Sequence, residues 1–455
     1  MSLTLPVAEI ISASTDQRLS THPSWHRVPI RMIADILNGY AFKSSQFTES
    51  SGMPLLRIRD VGKAHTECFY NGPYEKQYIV KPGDLVVGMD GDFKSSRWRG
   101  PTALLNQRVC KITPTTKLYN ATLLELALPA YLEAINENTS SQTVRHLSSN
   151  SIAELPIPLP PLAEQARIVA KIDELLKHVN ASRGHLAKVP KILQAFRQSV
   201  LAAACSGRLT EDWRETNRGA ESSTELLQRI LAHRKKLRPE NEAREADTSL
   251  PSDQPEDWTM CSMDALTVQV TSGSRGWAKY YADSGPLFIR AENINTDKLD
   301  LNNVAHVQPP DNAEGRRTRV KKYDLLITIT GANVTKSALV DTELREAYVS
   351  QHVALTRPAS SELSPYLYLW TVSPAHGRKK LIADAYGAGK PGLNLDNIRE
   401  MPVALPPIKE QREIVRRVQL LFNLADKIER RVQAATKRAD RLTQAVLAKA
   451  FRGEL

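Results

Sequence analysis

Residues 155–209 and 401–455 are two copies of one segment, aligned without a gap at a constant offset of 246 positions. The first copy opens LPIPLPPLAEQARIVAKIDELL and closes QSVLAAACSGRL. The second opens MPVALPPIKEQREIVRRVQLLF and closes QAVLAKAFRGEL. About 17 of the 55 aligned positions are identical, among them Pro160/Pro406, Pro161/Pro407, Glu164/Glu410, Gln165/Gln411 and Gly207/Gly453. A repeat of this length is a structural unit used twice, so the chain must fold as two like halves. The stretches before each copy echo one another more loosely. Val80–Leu85 matches Val320–Leu325, Asn106–Val109 matches Ser350–Val353, and Leu147–Ile152 matches Leu393–Ile398. Their offsets drift, as expected when surface loops gain and lose residues.

After each Pro-Pro lead-in the pattern turns helical. Proline suits the first turn of a helix, where its missing N–H would have no partner. In the first copy the apolar seam runs Ile168, Ile172, Leu175, Val179, Ser182, Leu186, Val189, with steps of 4 and 3. In the second it runs Ile414, Val418, Leu421, Ala425, Ile428, Val432, Ala435. The mean step of 3.5 residues belongs to a coiled coil. Two matched seams in one chain can satisfy each other, although packing of each helix on its own domain would give a similar pattern. Pro190 stands where the second copy has Thr436. It predicts a kink or break in the first helix alone. A 25-residue helix is about 37 Å long, close to the ~34–36 Å of one DNA turn.

The remaining sequence, 22–152 and 256–398, reads as mixed α/β. Strands are predicted at 54–61, 84–89 and 104–112, with counterparts at 286–290, 324–330 and 348–355. Helices are predicted at 121–136 and 365–383. The fold class is thus α/β (α+β), with two mixed domains separated by two long helices in an antiparallel coiled coil, and a pseudo-two-fold internal repeat. The expected partition is 1–21, 22–152, 153–209, 210–255, 256–398 and 399–455.

Composition narrows the partners. The 455 residues carry 61 Lys+Arg against 50 Asp+Glu, a net charge of +11. A basic balance admits nucleic acid, an anionic membrane or an acidic protein. No apolar run approaches the ~18 residues of a membrane span, and the N-terminus lacks the pattern of a signal peptide. The four cysteines are widely spaced, which argues against a zinc ribbon or disulfide framework and fits a cytoplasmic location. The segment 210–257 is the acidic exception, with 8 basic and 12 acidic residues. A short amphipathic helix is expected there over 223–237, either a spacer or a docking surface.

Loops mixing cations, aromatics and amides are the candidate DNA contacts. In the first half these are Asn38, Gly39, Tyr40 and Lys43, then Lys94, Arg97, Trp98 and Arg99. In the second half they are Arg275, Trp277 and Lys279, then Asn333, Thr335 and Lys336. Arginine reads guanine, Asn and Gln read adenine, and lysine meets phosphate. Each loop alone is equally a solvated face; finding such loops in both halves favours recognition. Gln107 and Gln351 recur within predicted strands, where support of the fold and contact with a base both stay open. Gly387–Gly392 matches G-x-G-x-x-G but follows a helix and contains Pro391, so it is not read as a dinucleotide site. No nucleophile–base pair, helicase motif, metal cluster or methyltransferase-type catalytic loop stands out. Recognition is favoured over catalysis.

Together the duplicated P-P-L/I-x-E-Q segment, FRQSVLAAACSGRLTEDWRE (196–215) and LTQAVLAKAFRGEL resemble the specificity subunit of type I restriction–modification enzymes, in particular its type IA subfamily. The resemblance implies two target-recognition domains, each reading one half of a split, asymmetric site in double-stranded DNA. It implies a coiled-coil spacer of Ile168, Ile172, Leu175, Val179, Leu186 and Val189 against Ile414, Val418, Leu421, Ile428 and Val432. It also implies two modification subunits and two restriction subunits as partners, with no membrane and no cofactor in this chain. S-adenosylmethionine, ATP and Mg would serve the partners, in adenine N6 methylation and ATP-driven cleavage. A non-enzymatic structural adaptor and a stand-alone DNA-modifying enzyme are the competing readings. Two copies at the 246-residue spacing would need more chain than 455 residues, which leaves open how the pseudo-symmetric arrangement closes, possible contributors being a missing tail or residues 1–20.

Overall fold

The protein is described by a computed structural model covering all residues except 1–4, 116, 139–145, 218–220, 241, 246–253, 274, 310–312 and 388–390. The chain divides into two compact units. The first joins Met1–Ala187 to Val432–Leu455, and the second is Lys188–Arg431.

In the first unit a four-stranded antiparallel sheet runs in the order Ala34–Asn38, Val109–Pro114, Leu85–Gly88, Ser95–Arg97. A second sheet pairs Met53–Leu56 in parallel with Ala103–Leu105. The helix Ala121–Glu137 starts where the Asn120 side chain accepts from the Thr122 and Leu123 N–H groups, the favoured way to satisfy a helix N-terminus. Its apolar face joins Ile112, Leu147 and Ile157 in one core. That core also takes in Val7, Ile10 and Ile11 from the helix Val7–Ala13, and Val446, Ala450 and Phe451 from the other end of the chain.

In the second unit the same order recurs: Thr267–Ser272, Val353–Pro358, Leu325–Thr328, Ser337–Leu339. Again a parallel pair, Tyr281–Ile289 with Ala347–Val349, forms a neighbouring sheet. The single helix expected over 365–383 is two helices, Ser364–Val372 and Gly377–Asp384. Pro374 lies in the break, where it has no N–H to continue the ladder. The helix Ser223–Leu237 forms as predicted, with a reciprocal Ser222–Glu225 capping box. It packs on its own unit, burying Leu226 and Ile230 in the core.

The Pro-rich lead-ins are strands as well as helix starts. Pro156–Leu159 pairs with His26–Pro29, and Pro402–Leu405 pairs with Thr259–Ser262. Each is a two-stranded ribbon, so its prolines occupy edges that need no second hydrogen-bonding neighbour. The predicted strands at 104–112 and 348–355 are each interrupted: Ala103–Leu105 and Val109–Pro114 flank one turn, and Ala347–Val349 and Val353–Pro358 flank the other.

The first helical copy is Leu162–Leu186 and Val189–Cys205, interrupted at 187–188 with Pro190 in the first turn of the second piece. The second copy is one helix of 44 residues, Ile408–Phe451. Thr436 has the N–H that Pro190 lacks, so this helix runs on. Within the first unit the buried seam is Ile168, Ile172, Leu176 and Val179, with Val446, Ala450 and Phe451 in the same core. The expected Leu175 is 36% exposed. A step of 4 after Ile172 moves the seam to Leu176 and then brings Arg183, not Ser182, onto it; Arg183 donates to Asp440 Oδ1. Leu186 is half-buried. Within the second unit Ile414, Val418 and Ala425 are buried and Val189 and Leu421 half-buried. Ile428 is 36% exposed, and the adjacent Glu429 pairs with Arg197 instead. Val432, in the first unit, is half-buried. Among the described residues no helix is long and apolar enough to cross a membrane.

Candidate nucleic-acid interface

The 38–43 and 90–94 loops of the first unit, and Gly273 with the 329–336 loop of the second, lie at the same end of the four-stranded sheet. Arg97, Trp98 and Arg99 lie at the opposite end, where Trp98 N donates to Asp84 O and Gly83 N to Trp98 O. In the first unit the turn 106–108 is the base of this region. Gly39 N donates to Val109 O (3.0 Å) and Tyr40 N to Leu105 O (2.9 Å), which bind the 38–43 loop to that turn. A Cβ at Gly39 would lie 2.0 Å from the Asn106 carbonyl oxygen, so only glycine allows this approach. Met89 N donates to Arg108 O, Gly88 N to Lys94 O, and Leu147 N to Met89 O. These bonds bring the 90–94 loop and His146 to the same place. Asp90 pairs there with both Arg108 and His146.

The second unit repeats three of these bonds and the close glycine approach, with a different partner for the glycine N–H. Gly273 N donates to Ser350 O, and a Cβ at Gly273 would lie 2.1 Å from Val349 O. Ile329 N donates to His352 O, Thr328 N to Lys336 O, and Leu393 N to Ile329 O. Lys94 and Lys336 therefore occupy equivalent positions, as do the left-handed Gly91 and Gly331. Here the loops border a cleft of about 400 Å³, lined by Arg275, Thr330, Gln351 and Tyr386 among others.

The individual candidates separate by exposure. Asn38, Tyr40, Lys43, Lys94 and Arg99 are exposed in the first unit, and Arg275 and Lys279 in the second. Asn38 donates to Ser149 Oγ (2.9 Å). Lys279 Nζ lies 5.0 Å from the Tyr280 ring centroid, within cation–π range. Asn333 donates to Ala291 O (3.2 Å), and Lys336 pairs with Asp297. Thr335 is buried. Arg97 lies on a strand, held by Glu125 and by the Gly83 carbonyl. Trp98 is buried with its Nε1 donating to Pro101 O, and Trp277 is buried on Phe288. Trp98 belongs to the core of Val61, Val80 and Val86, and Trp277 to that of Phe288, Val307 and Tyr348. Positions 388–390 of the G-x-G-x-x-G stretch lie outside the described residues.

Sequence reasoning gave too little weight to the turns at 106–108 and 350–352. They are turns, not strand interiors, and their signal was the echo of Asn106–Val109 in Ser350–Val353. Tyr386 and the Asp90–His146 pair were also missed. Tyr386 and His146 are separated by long stretches of sequence from the loops they join, whereas Asp90 lies in the 90–94 loop itself. At the end of the sheet away from the 329–336 loop Asp324 is buried against Arg357; burial outweighs that pairing and pushes its carboxyl above the ordinary value. Among the described residues no cluster of His, Cys, Asp and Glu could hold a metal ion.

Comparison with known proteins gives consistent matches. The family model for the type I restriction modification DNA specificity domain matches residues 24–191 and 292–438. The specificity subunit of the EcoBI type I restriction enzyme of Escherichia coli is 38% identical over all of this chain and 91% of its own length. That of the EcoKI enzyme of Escherichia coli K12 is 26% identical, covering 95% of this chain and 89% of its own. A chain solved in a study of complex assembly and conformational transition of the type I R-M system shares the fold. Its TM-score is 0.65 at 18% identity, covering 96% of this chain and 100% of that one.

Proposed function

The chain belongs to the type I restriction–modification DNA specificity family, and we propose that it reads a bipartite, asymmetric DNA site with one recognition unit for each half. It is a specificity subunit, and catalysis lies in the subunits it serves. The observation that carries the two-part reading is the repeated loop cluster. Both units set a turn, two glycine-hinged loops and an equivalent lysine at the same end of the same sheet. Cations there meet phosphate, and amides and guanidinium groups meet base edges. We take Asn38, Tyr40, Lys43 and Lys94, with Arg275 and Lys279, as the groups available to DNA at this end, and Gly39 as the hinge. Asn333, Thr335 and Lys336 hold the loops in place, and Arg97, Trp98 and Trp277 support the sheets.

The two duplicated helical segments act as the spacer that fixes the gap between half-sites. The complex contains two modification and two restriction subunits, acts in the cytoplasm, and uses S-adenosylmethionine, ATP and Mg in those partners. Residues 22–152 and 256–398 are then exchangeable reading heads. The test is to replace 22–152 with the corresponding region of a relative and map methylated adenines genome-wide. One half of the target is expected to change while the other half and the gap persist. A change in both halves, or in neither, would sink the modular reading.

A further inference from the structure

Most positions that repeat between the two loop clusters have a reason in the fold. Gly39 and Gly273 permit a close backbone approach, and Gly91 and Gly331 take left-handed φ. Val109 and Val353 are fully buried. Gln107 and Gln351 repeat as well, and the fold does not use them. Gln107 is exposed, and no hydrogen bond joins its amide to another described residue. Gln351 is half-buried on the cleft wall, and its amide meets only the neighbouring His352 ring, at 3.1 Å. The turns themselves are closed by backbone bonds, Val109 N to Asn106 O and Val353 N to Ser350 O. Their buried side chains are Asn106 and Ser350, which differ between the halves. The flanking Arg108 and His352 differ too, as do Asp90 and Thr330. Apart from the equivalent lysines Lys94 and Lys336, of which Lys336 is paired with Asp297, the side chain that stays the same is the one presented outward at the centre of each cluster.

On the reading that each unit recognises a DNA half-site, we propose that Gln107 and Gln351 each read an adenine, one in each half of the target. A carboxamide offers one donor and one acceptor side by side, which matches adenine N7 and N6 in the major groove. A residue repeated amid otherwise different loops fits a base common to two half-sites that otherwise differ. In the second unit the cleft beside Gln351 is bordered by Arg275 and Tyr386, a cation and a ring able to flank a base or its phosphate.

The experiment uses the complex of the full chain with its modification subunits and a set of duplexes carrying every single substitution of the target. Gln107→Ala should weaken binding to the cognate duplex by about 10–100-fold, the effect of one bidentate base contact. It should flatten discrimination at one adenine in one half only, and Gln351→Ala should do the same in the other. 7-Deazaadenine at that position should weaken the unsubstituted complex and leave the corresponding variant unaffected. Gln107→Glu should shift preference at that position from adenine towards cytosine, whose amino group a carboxylate accepts. Equal losses on all duplexes would make the residue a phosphate contact and overturn the proposal, as would unaltered discrimination. A lowered unfolding midpoint in either variant would assign the glutamine to the fold and also overturn it. If the unsubstituted complex itself binds all duplexes alike, the half-site reading fails first and the glutamine proposal with it.

Discussion

At the residue scale the duplication separates positions with the same job from positions with the same name. Gln165 and Gln411 have the same job. Each Nε2 donates to the carbonyl of the first proline of its Pro-Pro pair, Pro160 or Pro406, at 2.7 Å. The side chain folds back over the first turn and ties strand to helix, which explains why glutamine follows Pro-Pro at a fixed distance. Glu164 and Glu410 share only the name. Glu164 sits at the surface, and its Arg167 partner one turn on holds its carboxyl below the usual value. Glu410 is buried and accepts from Trp258 Nε1 (3.0 Å), Thr210 Oγ1 (2.7 Å) and Arg214. Replacing it leaves the buried Trp258 and Thr210 donors without their acceptor and Arg214 without its counter-charge. Glu410→Ala should cost about 3 kcal/mol or more, as for one partner removed from a buried pair. Glu164→Ala should leave the unfolding midpoint nearly unchanged, since exposed pairs contribute little. Chemical denaturation of the two variants in parallel tests this, and equal losses would refute it. The motif was plain in the sequence, but the burial that distinguishes its two copies comes from Thr210, Arg214 and Trp258, which lie outside the aligned segments.

At the element scale the period was legible and the phase was not. The apolar doublet Leu175-Leu176 allows the seam to be written either way, because both 3 and 4 are acceptable steps after Ile172. The core of the first unit takes Leu176, at 8% exposure, and leaves Leu175 outside. Leu176→Ala should therefore cost about 2–3 kcal/mol through the cavity it leaves. Leu175→Ala should fall within about 0.5 kcal/mol of the parent, as surface substitutions do. Thermal unfolding resolves the pair, and a reversal of the order would restore the seam first read from the heptads. The break at Pro190 was legible because proline acts through its own backbone. The strands in the Pro-rich lead-ins were not legible: their prolines are tolerated only because each ribbon is two strands wide, a fact of pairing rather than of local sequence. The interface shows the same division. The basic loops could be named from composition, whereas burial of Trp98 and Trp277 depends on what packs over them.

At the scale of the whole chain, the first recognition unit is not a contiguous segment. Its core is built from 1–187 together with 432–455. Val446, Ala450 and Phe451 are buried beside Val7, Ile10, Leu19 and Trp25, although more than 400 residues separate the two sets in sequence. Gly453, with φ +71°, closes this end against His22, as Gly207 at +78° closes against Pro255 in the second unit. The repeat alone did not reveal this exchange, since it aligned the second helix with the second half. Removing 432–455 therefore acts on the half that is distant in sequence. The loss exposes apolar surface of the first unit, at about 1.5–3 kcal/mol for each large side chain stripped from a core. The second unit, 188–431, keeps its own core from Val200 through Leu405 to Val418. The truncated chain should lose hydrogen-exchange protection at Leu85–Gly88 and Val109–Pro114 while Leu325–Thr328 and Val353–Pro358 stay protected. In the assembled complex it should lose discrimination in the half-site read by 22–152 and keep the other. Protection retained equally in both sheets would mean that the C-terminal turns are dispensable and that the first unit folds from its contiguous segment alone.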